Sequence, residues 1–221
     1  MFILEGNIGA GKSTFLKLLA QNMPDISVGF EPLHNWQSKV HGQSLLSNFY
    51  EKPQRWAYSL ETFAMICRVF EHLKDQECEN DIIIERSIYS GHYVFAMNGY
   101  EQGFMSDIEW HIYNQWFNAL VSTKCKTPQG FIYLRVDPEI AYKRIKKRNR
   151  LAEKKITLAY LKQIHGCHEK FLIEKAGILP DLKPVPVLIL DCNEDFEGKP
   201  IVLEKHLSLV REFVQKVNFT V

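Results

Sequence analysis

Short apolar runs alternate along the chain with longer stretches in which apolar residues recur every three or four positions. Five of the runs are rich in β-branched residues and do not alternate polar with apolar side chains, as is typical of strands buried on both faces. They are Met1–Glu5, Ile26–Phe30, Asp81–Glu85, Phe131–Val136 and Pro186–Asp191. The helical patterns lie near Lys12–Asn22, Pro53–Leu73, Ile108–Val121, Pro138–Asn149, Leu158–Ala176 and Val202–Val217. This order predicts an α/β fold with a parallel sheet covered by helices on both faces.

Composition narrows the class of protein without pointing to a function. The 221 residues are 46% hydrophobic and 24% charged, which fits a single domain over residues 1–221, and no linker-like stretch divides them. A net charge of +1 favours neither nucleic acid nor an acidic membrane as a partner, and no apolar run is long enough to span a bilayer. The five cysteines are scattered and never spaced CxxC, which indicates free thiols in a reducing compartment. With no leader segment in view, we expect a cytoplasmic protein.

The segment after the first predicted strand matches the P-loop pattern GxxxxGK[ST] in full. A strand precedes the motif and a helix follows it, so the alternative of a glycine-rich turn with a chance lysine is disfavoured. Glycines let backbone N–H groups turn toward phosphate oxygens, Lys12 would reach the β- and γ-phosphates, and the Ser13 hydroxyl would ligate Mg²⁺. The predicted triphosphate site comprises Gly6, Asn7, Ile8, Gly9, Ala10, Gly11, Lys12, Ser13 and Thr14.

A P-loop alone does not separate kinases from GTPases, other ATPases or helicases, so the ends of the other strands matter. Glu31 closes the second predicted strand, and Glu85 and Arg86 close the third. These side chains should therefore share one edge of the sheet with the P-loop. Phosphoryl transfer to an alcohol needs a carboxylate near the attacking oxygen, a cation for the developing charge, and a metal ion. Glu31, Arg86 and Ser13 supply these three types, although a lone strand-end glutamate is more often a solvated or capping group.

Several longer motifs together resemble the deoxynucleoside kinase family, which includes deoxycytidine, deoxyguanosine and mitochondrial-type thymidine kinases and the insect multisubstrate enzyme. The likeness covers nearly the whole chain, and its motifs are specific as a set, whereas each alone would be weak. They are the P-loop, Glu31-Pro32 with Trp36, Tyr50-Glu51-Lys52-Pro53, Arg55-Trp56, Glu85-Arg86-Ser87-Ile88-Tyr89-Ser90 and Leu190-Asp191-Cys192-Asn193-Glu194-Asp195-Phe196.

The resemblance implies a P-loop kinase fold with a five-stranded parallel sheet, ATP as donor with Mg²⁺, a deoxynucleoside acceptor in nucleotide salvage, and usually a homodimer. By the same resemblance Glu31 is the base that accepts the proton of the 5′-hydroxyl, and Arg86 orients it and steadies the transferred phosphoryl group. Glu85 helps to hold Mg²⁺ with Ser13, partly through water. We therefore expect ATP-dependent phosphorylation of a deoxynucleoside at its 5′-hydroxyl.

The most basic stretch of the chain lies between residues 143 and 150. It could be the solvated face of a helix, a nucleic-acid patch, or a lid that closes over ATP. The resemblance favours an arginine-rich lid at about residues 144–155, because Arg144, Arg148 and Arg150 match the family's arginine spacing. Planar guanidiniums also suit the charge that spreads over the equatorial oxygens during phosphoryl transfer.

Two further parts of the resemblance concern the sugar and the adenine. Glu153 matches the family glutamate that reaches the sugar 3′-hydroxyl together with Tyr50, although an exposed lid glutamate is the alternative. Such a clamp would leave little room at the 2′ carbon and so favours deoxyribose over ribose. The loop Glu194-Asp195-Phe196 would contact the adenine of ATP through backbone groups and the Phe196 ring.

The base pocket is where the chain departs from the family. Its apolar wall aligns with Trp36, Phe49, Leu60 and Phe95, although such residues on helices are often plain core. The glutamine that reads the base edge is replaced by Glu61. An ionised glutamate offers only acceptors, which match the two adjacent donors of guanine. We therefore expect a guanine-leaning specificity, with a broad-range enzyme as the alternative.

Two effects oppose this preference. Glu61 and Arg68 lie seven residues apart on one helical face, so they could pair with each other, and burial could protonate Glu61 so that it resembles glutamine. The aspartate that pairs with this arginine in several members is replaced by Gly91. Arg68 has thereby lost its usual partner, and we expect Gly91 to add room without adding a preference.

Other P-loop proteins fit the pattern less well. A nucleoside monophosphate kinase would need cations for the phosphate of its acceptor, whereas Glu31 would bring an anion there. A regulatory GTPase would carry an NKxD-type motif after the fourth strand, and the sequence has none. A nucleic-acid-binding ATPase would need basic residues beyond the lid, so we expect neither nucleic acid nor a membrane as a partner.

Overall fold

In the computed structural model, which describes residues 1–32, 34–38, 40–150 and 153–219, parallel strands form one sheet in the order β2-β3-β1-β4-β5. The strands are β1 (Phe2–Gly6), β2 (Ser27–Gly29), β3 (Ile82–Glu85), β4 (Gly130–Arg135) and β5 (Val187–Asp191). The predicted five-stranded parallel sheet is confirmed. The second strand is shorter than predicted, because Phe30 lies beyond β2 and leaves the sheet with 47% of its surface exposed.

Strand β1 lies at the centre of the sheet, between β3 and β4. Its Leu4 pairs with Glu85 on one side and with Ile132 on the other. Successive side chains of a strand point to opposite faces, so Ile3 joins one buried core while Phe2 and Leu4 join the other. The chain continues from β1 to β2 and β3 on one side of it and then crosses to β4 and β5 on the other. In an α/β sheet a ligand crevice opens at the carboxyl end of a strand where the order reverses in this way.

The helices of the described residues cover both faces of the sheet. They are α1 (Lys12–Asn22), α2 (His34–Gln37), α3 (Leu45–Glu51), α4 (Pro53–Asp75), α5 (Ile88–Ser90), α6 (Met97–Glu101), α7 (Asp107–Lys124), α8 (Pro138–Arg148), α9 (Leu158–His168) and α10 (Pro200–Asn218). The stretch Gly91–Ala96 joins α5 to α6 in π-helical form, Glu169–Glu174 continues α9 in the same form, and Pro180–Leu182 is a 3₁₀ turn. None of these described helices is both long and apolar enough to cross a membrane.

Local signals in the sequence explain where the longer helices begin and end. Pro53 stands at the first position of α4, where its missing N–H has no helical partner in any case. Ser106 and Glu109 form a capping box at the start of α7, an arrangement worth about 1 kcal/mol to a helix. Asn149 ends α8 in the left-handed conformation, with φ of 52°, which asparagine tolerates better than most residues.

Four α-helical or π-helical stretches differ from the periodicity-based prediction. Helices α2 and α3 were not predicted, because their four and seven residues are too few to establish a period. The continuous helical stretch 88–101 was also missed, since most of its side chains are buried and it has no polar face to mark a helix. The predicted helix Leu158–Ala176 is α-helical only to His168, because a pattern of apolar residues does not distinguish an α-helical from a π-helical turn.

Candidate active site

The P-loop turns directly from β1 into α1, and glycines let it pack closely against its neighbours. Gly9 and Gly11 have φ of 82° and 98°, in a region that glycine adopts without steric cost. A Cβ at Gly9 would lie 2.7 Å from the carbonyl oxygen of Ala141 on α8, and a Cβ at Gly11 would lie 2.9 Å from the ring of Phe196. The loop therefore fits between α8 and the Phe196 ring only with glycine at these two positions.

The N-terminus of α1 is open to an anion. No described side chain caps it and its first turn contains no acidic residue, so its N–H groups and helix dipole favour negative charge. Asn7 shapes the loop from below: its Oδ1 accepts a hydrogen bond from the Ile8 N–H at 2.8 Å, and its Nδ2 donates to the Leu161 carbonyl at 2.9 Å. The loop is thus preformed around the first turn of the helix.

The ammonium group of Lys12 lies across the P-loop. Its Nζ donates to the carbonyl oxygens of Gly6 and Asn7, each at 3.0 Å. Burial, together with the nearby guanidinium of Arg86, lowers the pKa of Lys12 to about 7, against the pull of several carboxylates. A bound triphosphate would add negative charge beside Nζ and favour the protonated form.

Ser13 and Glu85 bring a hydroxyl and a carboxylate together at the carboxyl ends of β1 and β3. Ser13 Oγ donates to Glu85 Oε1 at 2.9 Å. Oxygen donors of these two kinds, with room left for water, are what Mg²⁺ takes from proteins that bind nucleotides. The pair therefore fits the predicted magnesium site.

Glu31 lies just beyond β2, between two arginines. Arg68 Nη2 is 2.6 Å from its Oε1, and Arg86 Nε is 3.1 Å from its Oε2. Burial opposes ionisation of this carboxyl group, but Arg86 and Arg68 together outweigh burial and hold the pKa of Glu31 below its usual value. The group is therefore an ionised carboxylate at neutral pH.

Arg86 has an unusual backbone for an arginine. Its φ is 63°, a region in which bulky residues are uncommon and which costs energy unless the surroundings enforce it. Here the Arg86 N–H donates to the Leu4 carbonyl at 2.9 Å, and the following residue, Ser87, donates its hydroxyl to the buried Glu5 carboxylate at 2.8 Å. These bonds to β1 hold the turn that aims Arg86 at Glu31.

A cavity of about 240 Å³ connects the P-loop with the space beside Glu31. Most of the predicted site residues line it: Ile8, Gly9, Gly11, Lys12, Ser13, Thr14, Glu31, Trp36, Phe49, Tyr50, Leu60, Glu61, Arg68, Glu85, Arg86, Phe95, Arg148, Arg150 and Glu153. The predicted residues that lie outside its lining are Gly6, Asn7, Ala10, Gly91, Arg144, Glu194, Asp195 and Phe196.

The apolar wall of the cavity is also part of a core. Trp36, Phe49 and Leu60 are buried in the cluster that covers one face of the sheet, and all three line the cavity. These three residues therefore belong both to the hydrophobic core and to the wall of the cavity. Phe95 faces the guanidinium of Arg86, whose Cζ lies 4.6 Å from the ring centroid.

The predicted lid, residues 144–155, comprises the C-terminal part of α8 and the residues that follow it. Its Leu151 and Ala152 lie outside the described residues. Arg148 Nη2 lies 2.7 and 2.6 Å from the two carboxylate oxygens of Glu153, and Arg150 approaches the same group at 3.6 Å. Glu153 is itself buried. The alternative of an exposed surface glutamate is therefore wrong, because Glu153 faces the cavity and is paired with lid arginines.

Arg144 faces away from the cavity, toward the loop after β5. Its Nη2 donates to the carbonyl oxygens of Asn193 and Glu194, at 3.4 and 3.2 Å. The Phe196 ring is buried and packs edge-to-face on Phe15 at 5.5 Å between centroids. The tip of the same ring lies beside Gly11 of the P-loop. The predicted contact of this loop and its Phe196 ring with the adenine stays a prediction.

The comparison with known proteins agrees with this geometry. A family model described as deoxynucleoside kinase matches residues 2–215. The chain belongs to the deoxynucleoside kinase family. It is 37% identical to deoxycytidine kinase 2 of Gallus gallus, covering 96% of this chain and 89% of that protein. It is 34% identical to the mitochondrial deoxyguanosine kinase of Xenopus laevis (96% and 88% covered) and 35% identical to deoxycytidine kinase of Homo sapiens (96% and 89% covered). The predicted family, fold class and kinase activity are thereby confirmed.

In this deoxynucleoside kinase the Glu61 carboxyl group lines the cavity without a polar partner among the described residues. It is buried and makes no hydrogen bond or ion pair with the described residues. Burial raises the pKa of Glu61 to about 7, although Arg68 and Arg86 pull it down. Two effects were expected to weaken a preference for guanine. The first, an ion pair between Glu61 and Arg68, is not formed. The second, a pKa that brings Glu61 close to protonation at neutral pH, is present.

The expectation that Gly91 adds room to the base pocket of the kinase is wrong. A Cβ at Gly91 would lie 2.8 Å from Nη1 of Arg68, so the guanidinium occupies that space. Arg68 pairs instead with Glu31, at 2.6 Å between Nη2 and Oε1. Glycine at position 91 therefore changes the surroundings of Glu31, the predicted catalytic base, and does not enlarge the pocket for the nucleobase.

Sequence reasoning missed several residues of the kinase cavity. Lys17, Gln37, Leu46, Ala64 and Tyr160 also line it. Tyr160 is the most notable, because its ring meets that of Tyr50 edge-on at 6.5 Å. The sequence analysis placed it only within the helical pattern Leu158–Ala176. Only its spacing after Glu153, on the element that follows the lid, could have suggested a site residue.

Proposed function

We propose that this protein transfers the γ-phosphoryl group of ATP to the 5′-hydroxyl of a deoxynucleoside. The observation that carries the proposal is the ionised carboxylate of Glu31, held by two arginines in the same cavity as Lys12 and the open end of α1. A base at one end of a cavity and an anion-binding helix end at the other are the requirements for phosphoryl transfer to an alcohol.

The proposed step is an in-line displacement. The Glu31 carboxylate accepts the proton of the 5′-hydroxyl while the 5′-oxygen bonds to the γ-phosphorus, and the bond from that phosphorus to the β,γ-bridging oxygen breaks to release ADP. Arg86 lies beside Glu31 and Lys12 beside the P-loop, so both can stabilise the charge that develops on the transferred group. Arg148 and Arg150 would also stabilise this charge once a phosphate group of ATP replaces Glu153 as their ion-pair partner.

Ser13 and Glu85 would hold Mg²⁺, the first directly and the second partly through water. When bound, the ion neutralises charge on the β- and γ-phosphates. The adjacency of the Ser13 hydroxyl and the Glu85 carboxylate, at 2.9 Å, supports this assignment.

The sugar would lie between Tyr50 and Glu153. Both line the cavity, and a buried carboxylate beside a phenol can hold one hydroxyl group through two hydrogen bonds. We propose that this hydroxyl is the 3′-hydroxyl and that deoxyribose is preferred. Because Glu31 is an anion, the acceptor is proposed to be a nucleoside, since the phosphate of a nucleoside monophosphate would be repelled.

Glu61 would set the preference for the base. The protonated carboxyl group offers one donor and one acceptor, as glutamine does, whereas the ionised group offers only acceptors. Because the pKa of Glu61 is about 7, the ionised form gains population above neutral pH. We propose that guanine, which presents two adjacent donors, is favoured in that range, and that the other bases gain as the pH falls.

The test is a panel of deoxyguanosine, deoxyadenosine, deoxycytidine and thymidine with γ-labelled ATP, each also compared with its ribonucleoside. For the wild type, the ratio of kcat/KM for deoxyguanosine to that for deoxycytidine should rise between pH 6 and pH 8.5, by up to tenfold per pH unit above the pKa. In Glu61→Gln the ratio should be low and flat with pH. A pH-independent ratio in the wild type, or thymidine leading at every pH, would contradict the role of Glu61; no phosphorylation of any nucleoside would contradict the proposed function.

We propose further that the kinase is a homodimer that associates through α4 and α7. Large apolar side chains are exposed at helical spacing on these two neighbouring helices: Phe63, Ile66, Phe70, Ile108, Ile112 and Trp116. Exposed apolar side chains of this kind suit a second copy of the chain, because an isologous interface places the same patch on both subunits and removes the apolar surface of each from water.

Sedimentation or light scattering should therefore give a dimer mass at micromolar concentration, and the double substitution Phe70→Lys and Trp116→Lys should give a monomer. Lysine in the centre of an apolar interface leaves a desolvated charge without a partner. Ile201→Lys is the matched control, since Ile201 is an exposed apolar residue on α10, away from this face. A monomeric wild type, or a dimer that survives the double substitution, would disprove this interface.

A further inference from the structure

The two oxygens of the Glu31 carboxylate are held by different arginines. Oε1 is 2.6 Å from Arg68 Nη2, and Oε2 is 3.1 Å from Arg86 Nε. The side chains of Arg68 and Glu31 are only 10% and 7% exposed, so water and salt screen their interaction little. An ion pair with this geometry restrains the last torsion of the glutamate side chain and leaves the remaining lone pairs of both oxygens for an acceptor hydroxyl.

Gly91 makes the contact with Arg68 possible. A Cβ at this position would lie 2.8 Å from Arg68 Nη1, so any other residue would push the guanidinium away. The backbone of Gly91 does not itself require glycine, because its φ of −52° and ψ of −49° are ordinary helical values. On another side the Trp36 ring limits the guanidinium, with Arg68 Cζ 5.3 Å from the ring centroid. Gly91 and Trp36 thus form a slot that directs Arg68 to Glu31.

We propose that Arg68 is a positioning residue for Glu31, and that the missing side chain at Gly91 is what allows it to act. This inference rests on the proposed role of Glu31 as the base. Arg68 would hold Oε1 in place while Arg86 holds Oε2, so that the carboxylate meets the 5′-hydroxyl in one orientation. Arg68 then serves the transfer step as well as lining the base pocket.

Arg68 should also extend the pH range in which Glu31 is ionised. Among the described residues, the charged and titratable groups that face Glu31 are Arg86 beyond β3, Arg68 and Glu61 on α4, Lys12 on α1 and Tyr50 on α3. Burial favours the protonated carboxyl group, and Arg86 and then Arg68 oppose burial. Without Arg68 the pKa of Glu31 should rise, and the base would be lost to protonation at a higher pH than in the wild type.

The acidic limb of the kcat–pH profile, measured with saturating nucleoside and ATP, tests this role. Arg68→Met should move the limb upward by about one pH unit or more, as expected for the loss of an adjacent opposite charge. Gly91→Ala should move it in the same direction by a smaller amount, because it displaces the guanidinium without removing it. Arg68→Lys should restore most of the wild-type profile. Lys74→Met, which removes an exposed charge from the same helix, should leave the profile unchanged.

A readout that does not depend on turnover is the titration of the Glu31 carboxyl group by ¹³C NMR of glutamate-labelled protein, with the resonance identified by its loss in Glu31→Gln. It should titrate at a higher pH in Arg68→Met and in Gly91→Ala than in the wild type. An unchanged titration and an unchanged acidic limb, with only KM raised, would overturn the inference and make Arg68 a substrate-binding group. Kinase activity of the wild type would leave the proposed function standing in that case, whereas its absence would remove the proposed function itself.

Discussion

Glu31→Gln should lower kcat by about 10²–10⁴-fold, the usual contribution of a general base, while the KM for the deoxynucleoside changes little. Glutamine has nearly the shape of glutamate and keeps one acceptor oxygen for Arg68 or Arg86, so the pocket should persist. The amide cannot take the proton of the 5′-hydroxyl, and the step that needs this transfer should therefore slow. The effect should appear in steady-state kinetics with every nucleoside that the enzyme accepts.

The substitution also removes negative charge from between two buried arginines, which is costly to the fold. Its melting temperature should fall, so kinetics are to be measured well below that temperature. Glu77→Gln serves as the control, because it removes an exposed carboxylate that pairs with Lys126 on the surface. An intact kcat with only KM raised would show that Glu31 binds the substrate and that the base lies elsewhere.

Lys12→Ala should reduce kcat/KM for ATP by about 10²–10³-fold or more, which is typical for the loss of one electrostatic stabiliser of a transition state. The Lys12 ammonium group lies across the carbonyl groups of Gly6 and Asn7, within the loop that would surround the β- and γ-phosphates. Alanine leaves the loop glycines and the start of α1 unchanged, so ATP should still bind weakly through backbone N–H groups.

Turnover and ATP binding, measured by calorimetry or a labelled nucleotide, together test the role of Lys12. The matched control is Lys143→Ala, because Lys143 is an exposed lysine of α8 outside the cavity lining. Turnover of the Lys12→Ala protein close to that of the wild type would refute the assignment of the P-loop as the ATP site.

The architecture could be predicted because it rests on signals that are local in sequence. Runs such as Ile82–Glu85 have no polar face, and the helices between them have one, so strand and helix types follow from periodicity. The same signals fail where an element is short or uniformly buried. Helix α3 and the π-helical stretch Gly91–Ala96 are of these two kinds, and their conformation depends on tertiary packing.

Part of the candidate site could likewise be predicted from the sequence, and part could not. Lys12, Glu31 and Arg86 could be placed together because each follows the carboxyl end of a strand of a parallel sheet, and such ends share one edge. The partner of Arg68 could not be predicted, because it depends on the volume that Gly91 leaves beside α4. Nor could the state of Glu61, whose pKa follows from burial and from the distance to two guanidiniums rather than from residue type.

The central position of β1 has a consequence for how the protein folds. Phe2 pairs with Ile83 on one side and with Gly130 on the other, so the first strand of the chain joins partners that come far later. Folds of this kind have a high contact order, and the entropy of closing long chain loops must be overcome before the sheet contacts stabilise them. The P-loop follows β1 directly, and α8, which packs against it, comes after β4. The proposed phosphate site is therefore complete only once α8 has docked on the P-loop, and it is not a property of the N-terminal segment alone.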